Sequence, residues 1–159
     1  MDEYNKIIKP SLAKQKMMKL CSMQEKCRHD IFEKLIGFGL DEVDCNKILD
    51  ELEKDKFIDD ARYAAFFTKD KYRFNKWGRT KIQYALRLKG ISSDNIYNAI
   101  DQIDEEEYLN ILKTELHKKQ KLTSFKSQWD LKSKLMRFAQ SRGFESDLAM
   151  RIIDLLIKY

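Results

Sequence analysis

The chain is poor in the residues that make turns, cross-links and metal sites. Its 159 residues include one proline and five glycines, too few for the reversals a strand-and-turn protein needs. No run of 18 apolar residues occurs, so no membrane span is expected. Cys21, Cys27 and Cys45 are an odd set without CxxC spacing, and His29 and His117 lie far apart. Neither set makes a zinc-ligand pattern. Cys45 falls on an apolar ladder, where a thiol acts as a small hydrophobe, and a reducing cytoplasm is the expected setting. Met1-Asp2-Glu3-Tyr4 is acidic and lacks an apolar h-region, so a secretory signal is not expected. A Gly-rich phosphate loop, a Ser/His/Asp set and HExxH are also missing, which argues against an enzyme and against a bound cofactor or metal.

What remains is a repeat. Gly39-Leu40, Gly90-Ile91 and Gly143-Phe144 share their surroundings. Upstream ladders hold Ile31 and Leu35, Ile82 and Leu86, Leu135 and Ala139. Downstream ladders hold Cys45, Leu49 and Leu52, then Ile96, Ile100 and Ile103, then Ala149, Ile153 and Leu156. A period of about 50 residues means one supersecondary unit per copy. The 43% hydrophobic and 36% charged fractions suit amphipathic helices. The fold class is therefore all-α: three tandem three-helix repeats over residues 1–58, 59–103 and 104–159, stacked into an elongated array able to curve. Helices of about 12–16 residues would each be about 18–24 Å long.

Local signals divide each unit. An opening helix is expected from Lys6 to Lys26, with Pro10 near its start and Leu12, Met17 or Met18, and Leu20 inward. Arg28 to Phe38 follows, ending at Gly39, and Asp41 caps a third helix to about Lys54. In the middle unit Phe57-Ile58-Asp59-Asp60 reads as staple and N-cap for a helix carrying Tyr63, Phe66, Phe67 and Phe74. Asn75-Lys76-Trp77-Gly78 breaks it. Arg79 to Lys89 and Ser93 to Ile103, capped by Ser92, complete the unit. Asp104 and Glu107 have capping-box spacing before a helix to about Lys121, a polar Lys121-Leu122-Thr123-Ser124 loop follows, and helices over Gln128 to Ser141 and Ser146 to Lys158 end the chain.

Charge alternates along this frame. Residues 41–60 carry three basic and nine acidic side chains, and residues 91–110 carry none and six. Residues 61–90 carry nine basic and one acidic, and residues 111–142 nine and two. Acidic residues at helix starts suit the dipole, which accounts for Asp59-Asp60 and Glu105-Glu106-Glu107. It leaves the basic stretches unexplained. A face aimed at a polyanion accounts for them, with simple solvation as the bland alternative.

Phe57-Ile58-Asp59-Asp60-Ala61-Arg62-Tyr63-Ala64, with Trp77-Gly78-Arg79-Thr80-Lys81-Ile82, Leu86 and Lys89-Gly90-Ile91, resembles the RecX family of recombination regulators. Arg142-Gly143-Phe144 resembles the family's closing segment, and Arg28 with Leu35 and Gly39 its opening one. The resemblance covers nearly the whole chain. It departs at Arg28-His29-Asp30 and Phe38-Gly39, where the family often has Arg-x-x-Ser-x-x-Glu-Leu and Lys-Gly, so the first repeat is expected to meet a partner differently. The resemblance implies binding to the RecA recombinase filament on single-stranded DNA, limiting filament growth, ATP hydrolysis, strand exchange and repressor co-cleavage. It implies a monomeric cytoplasmic regulator with no membrane contact.

The candidate DNA- or filament-binding residues are Arg73, Lys76, Arg79 and Lys81 around the Trp77-Gly78 break. Lys126, Lys132, Lys134 and Arg137 hold a comparable place one repeat later. Basic side chains at helix starts oppose the dipole, so their grouping asks for another cause, although each could be solvated surface. Trp77 and Trp129 are expected to pack between helices rather than stack on bases. Tyr63, Phe66 and Phe67 are expected in the core, and Asp59 and Asp60 as helix caps rather than catalytic carboxylates. Two other classes stay open: a nucleic-acid binder acting without a recombinase, and a helical-repeat scaffold for an unrelated protein.

Overall fold

The computed structural model describes residues 8–157, and these form nine α-helices with no strand among the described residues. They are α1 (Pro10–Met23), α2 (Arg28–Gly37), α3 (Glu42–Lys54), α4 (Asp60–Arg73), α5 (Arg79–Leu88), α6 (Ser93–Asp101), α7 (Glu105–Leu122), α8 (Gln128–Ser141) and α9 (Ser146–Leu156). Three consecutive helices make each repeat, and the third packs on both of its predecessors. Gly39, Gly90 and Gly143 close the second helix of their units at φ 86°, 70° and 86°, the left-handed conformation that glycine adopts without strain.

The caps follow the side-chain chemistry. Asp41, Asp59, Ser92, Asp104 and Ser127 each accept the N–H three residues on, at 2.8–3.3 Å. Asp60 does something different. Its Oδ1 accepts the Arg28 N–H at 3.0 Å, so it satisfies the first turn of α2 in the preceding repeat.

Several boundaries and faces depart from expectation. The start at Lys6 and the end at Lys158 lie outside the described residues. Helix α1 stops at Met23 because Gln24 is extended, turning the chain so that Cys27 can be buried. The buried stripe of α1 is Ala13 and Met17, which turns Leu12 outward. Helix α6 ends at Asp101, yet Ile103 remains buried. In α4 the buried positions Tyr63, Ala64, Thr68 and Tyr72 leave Phe66 on the outer face, and Phe74, past the last turn, is exposed as well. Phe67 alone of that Phe pair leans on the core.

Two cores result. One, built from α1 to α3, includes Leu35, Leu49, Leu52 and Ile58. The other runs without interruption through repeats two and three, from Ile82 and Leu86 to Leu116, Leu135 and Ile153, and it also takes Cys27 from repeat one. Burial pushes the Cys27 thiol up to about 12, so it packs as a neutral hydrophobe.

Candidate nucleic-acid and filament interface

The basic cluster around the Trp77-Gly78 break stands where repeats two and three meet. The first turn of α5 has N–H groups that its own helix cannot satisfy. Gly78 donates to the Arg142 carbonyl at 2.7 Å and Thr80 to the Gly143 carbonyl at 3.0 Å. Arg79 N–H donates to the Tyr108 hydroxyl at 3.0 Å. Two glycines permit this approach. A Cβ on Gly78 would lie 2.3 Å from Gly143 carbonyl carbon, and one on Gly143 would lie 2.3 Å from Lys81 Cβ.

Ionic contacts surround this backbone joint. Arg79 donates to Glu145 at 2.7 Å and to Glu105, and its guanidinium lies 4.0 Å from the Tyr108 ring centroid. Its side chain is only 17% exposed. Burial opposes its charge, but Glu145, Tyr108 and Glu105 outweigh burial and hold its pKa above the ordinary value. Burial also pushes the Tyr108 phenol up, so Tyr108 stays a neutral hydroxyl that donates to Glu145. Arg73 grips Glu107 with two bonds at 2.7 and 3.1 Å, which hold that carboxyl below its usual range. Lys76, at φ 58°, donates to the Arg73 carbonyl at 2.5 Å. Of the candidate binding residues, Arg73, Lys76 and Arg79 thus each have a partner within the chain. Arg73 and Arg79 reach carboxylates of repeat three and hold the two repeats together, whereas the Lys76 bond stays inside repeat two.

Lys81 faces outward over Trp77, with Nζ 4.5 Å from the ring centroid and Lys71 at 5.1 Å on the same ring. Trp77 itself meets Phe67 edge-on at 6.3 Å and leans on the core, as expected. Trp129 does not. It stands on the outer side of the first turn of α8 and is 77% exposed, because Leu131, Leu135 and Ala139 occupy the buried side.

The third-repeat candidates divide. Lys132 pairs with Asp154 at 2.6 Å. Lys134 meets Asp130 at 3.1 Å and the Ser124 carbonyl at 2.9 Å. Asp130 also accepts the Lys126 N–H at 3.0 Å, and these donors hold its carboxyl below the usual range. Lys134 and Arg137 line an open groove of about 510 Å³ between the end of α7 and α8, together with Lys119 and Phe138. Lys119 Nζ lies 5.5 Å and Arg142 5.1 Å from the Phe138 ring centroid. No carboxylate lines this groove.

Such an arrangement presents a basic groove without a carboxylate in its lining. Among the described residues no group of His, Cys, Asp and Glu could hold a metal ion, and no helix is long and apolar enough to cross a membrane. Sequence reasoning missed Lys119 and Phe125. A signal existed for the latter, since a large aromatic in the loop after α7 belongs to no helical ladder.

Two family models match the chain: the second three-helix domain of RecX over residues 59–100 and the third over residues 105–153. The chain belongs to the RecX family. It is 31% identical over 130 residues to a regulatory protein RecX of Clostridium tetani, covering 80% of this chain and 59% of that relative. A regulatory protein RecX of Acinetobacter baylyi is 31% identical over 134 residues, 84% of this chain and 81% of the relative. The chain thus spans about 60% of the length of the clostridial relative. The crystal structure of RecX from Lactobacillus salivarius superposes with a TM-score of 0.82 at 21% identity, over 92% of this chain and 96% of that one, and so shares its helical-repeat fold.

Proposed function

We propose that this RecX-family chain binds the RecA recombinase filament on single-stranded DNA and restrains filament growth, ATP hydrolysis and strand exchange. Family membership supports the partner. The observation that carries the mode of action is the fusion of repeats two and three into one block with a continuous core. That block displays Lys81, Lys126, Lys134 and Arg137, while Arg73 and Arg79 tie its two repeats together. A stiff basic body can lie along a nucleoprotein filament and make several weak contacts at once, which add through effective concentration. It acts by occupancy as a cytoplasmic monomer, without catalysis or a cofactor.

The test is the single-stranded-DNA-dependent ATPase of the recombinase from the same source, titrated with this chain. Inhibition far below one molecule per recombinase subunit supports the reading and assigns action to filament ends. Inhibition only near equimolar amounts supports it and assigns coating of the groove. An unchanged ATPase, with the chain folded and able to bind DNA, rejects it.

A further inference from the structure

Three large apolar side chains stand in water within eight residues: Leu122 at 85% exposure, Phe125 at 48% and Trp129 at 77%. They lie at the end of α7, in the connecting loop and on the first turn of α8. Helical packing does not account for them, since the buried faces of both helices are filled by Leu112, Leu116, Leu131 and Leu135. The exposed surface is strongly cationic. One carboxylate, that of Asp130, acts on both Lys134 and Arg137, so it neutralises this stretch of Lys119, Lys121, Lys126, Lys134 and Arg137 only in part.

Charge decides the occupant. A protein helix docking on Trp129 and Phe125 would need no surplus of positive charge, and an acidic peptide would need no pair of exposed rings. Single-stranded nucleic acid needs both, because its bases are free to stack on aromatic faces while its phosphates follow a basic groove. Duplex DNA keeps its bases stacked on one another, so it could use the cations alone.

We infer that the α7–α8 end of the third repeat is a direct binding site for single-stranded DNA, with Trp129 stacking on an unpaired base, aided by Phe125. Phosphates run along the groove of Lys119, Lys134 and Arg137, over Phe138. The site needs no recombinase, so it stands independently of the filament reading.

The experiment titrates the full chain with a dye-labelled thymidine oligonucleotide of about 15 nucleotides, within the site sizes of single-strand binders, and reads affinity from the label's anisotropy in every variant and tryptophan fluorescence in the parent. Quenching is expected. Trp129→Ala should weaken binding roughly ten-fold and Trp129→Phe by less, while inorganic polyphosphate, which has no bases, binds all three alike. Arg137→Gln should weaken both ligands and flatten the salt dependence. Because Trp129 is exposed, its variants keep the parental melting temperature. Oligonucleotide affinity unchanged in Trp129→Ala overturns the site, as does equal affinity for the single strand and its duplex. If that happens while the recombinase ATPase is still inhibited, the base site falls and the filament reading stands.

Discussion

The two joints between repeats use the same turn in different ways. Residues Gly78-Arg79-Thr80-Lys81 correspond, one repeat on, to Cys27-Arg28-His29-Asp30, and Gly143 corresponds to Gly90. In the second joint the backbone of α5 bonds directly to the turn after α8. In the first, Gly90 has open space where a Cβ would be, and side chains bridge the gap. Lys89 reaches Asp30 at 2.5 Å, Asp60 accepts from Arg28 N–H, and Arg62 pairs with Glu25 at 2.7 Å. Arg28 turns back to Asp50 and Glu53 of its own repeat at 3.0 Å, whereas Arg79 crosses to Glu145 in the next. The cause is one side chain. A Cβ at position 78 would overlap Gly143, so Cys27, which has one, keeps the first joint apart. Repeats two and three share one core and a backbone joint, whereas repeat one is held by the buried Cys27 and by part-exposed side-chain bridges.

That contrast can be broken most severely at Gly143. Gly143→Ala adds a Cβ at 2.3 Å from Lys81 and at positive φ, so crowding and the left-handed backbone together should destabilise by about 3 kcal/mol in urea unfolding. Gly90→Ala meets no neighbour and should lose about 1–2 kcal/mol, the backbone part alone. Equal losses would show that the joints are alike.

Tyr108→Phe removes the hydroxyl shared by Arg79 N–H and Glu145. It should destabilise by about 1–3 kcal/mol, because part-buried polar groups lose their partner. The effect should appear in the unfolding of repeats two and three together. Asp60→Ala deletes the remote cap on α2 and should remove about 1 kcal/mol, seen as faster hydrogen exchange in the first turn of α2 with α7 to α9 unaffected.

The smallest effect concerns pH. The Arg73 bonds lower the Glu107 pKa in the folded state below its ordinary value of 4.5. Its contribution is therefore present above that value and lost as pH falls through the lowered one. Thermal melts between pH 6 and pH 3 should show Glu107→Gln losing less stability on acidification than the parent, about as the exposed position of the pair allows.

The helical repeat was readable because capping and periodicity are local. Asp41, Asp59, Ser92 and Asp104 sit beside the donors they satisfy, and Gly39, Gly90 and Gly143 close their helices as their neighbours require. The interface was harder to read. Arg73 and Arg79 look in sequence like free cations at a helix break, because Glu107 and Glu145 lie 34 and 66 residues away. Phe66 looks like Phe67, since one residue of helical phase, about 100°, separates core from water, and Trp129 looks like Trp77 although it lies inside α8 while Trp77 precedes α5.

Residue order alone decided the all-α class, the three units, most helix boundaries and the alternation of charge, since these depend on interactions spanning a few residues. The pairing of those units was decided in three dimensions. Which cations remain free, which rings stay in water and which joint is tight depend on side chains that meet only after the repeats have stacked. A single Cβ, present at Cys27 and absent at Gly78, sets how closely the backbones approach.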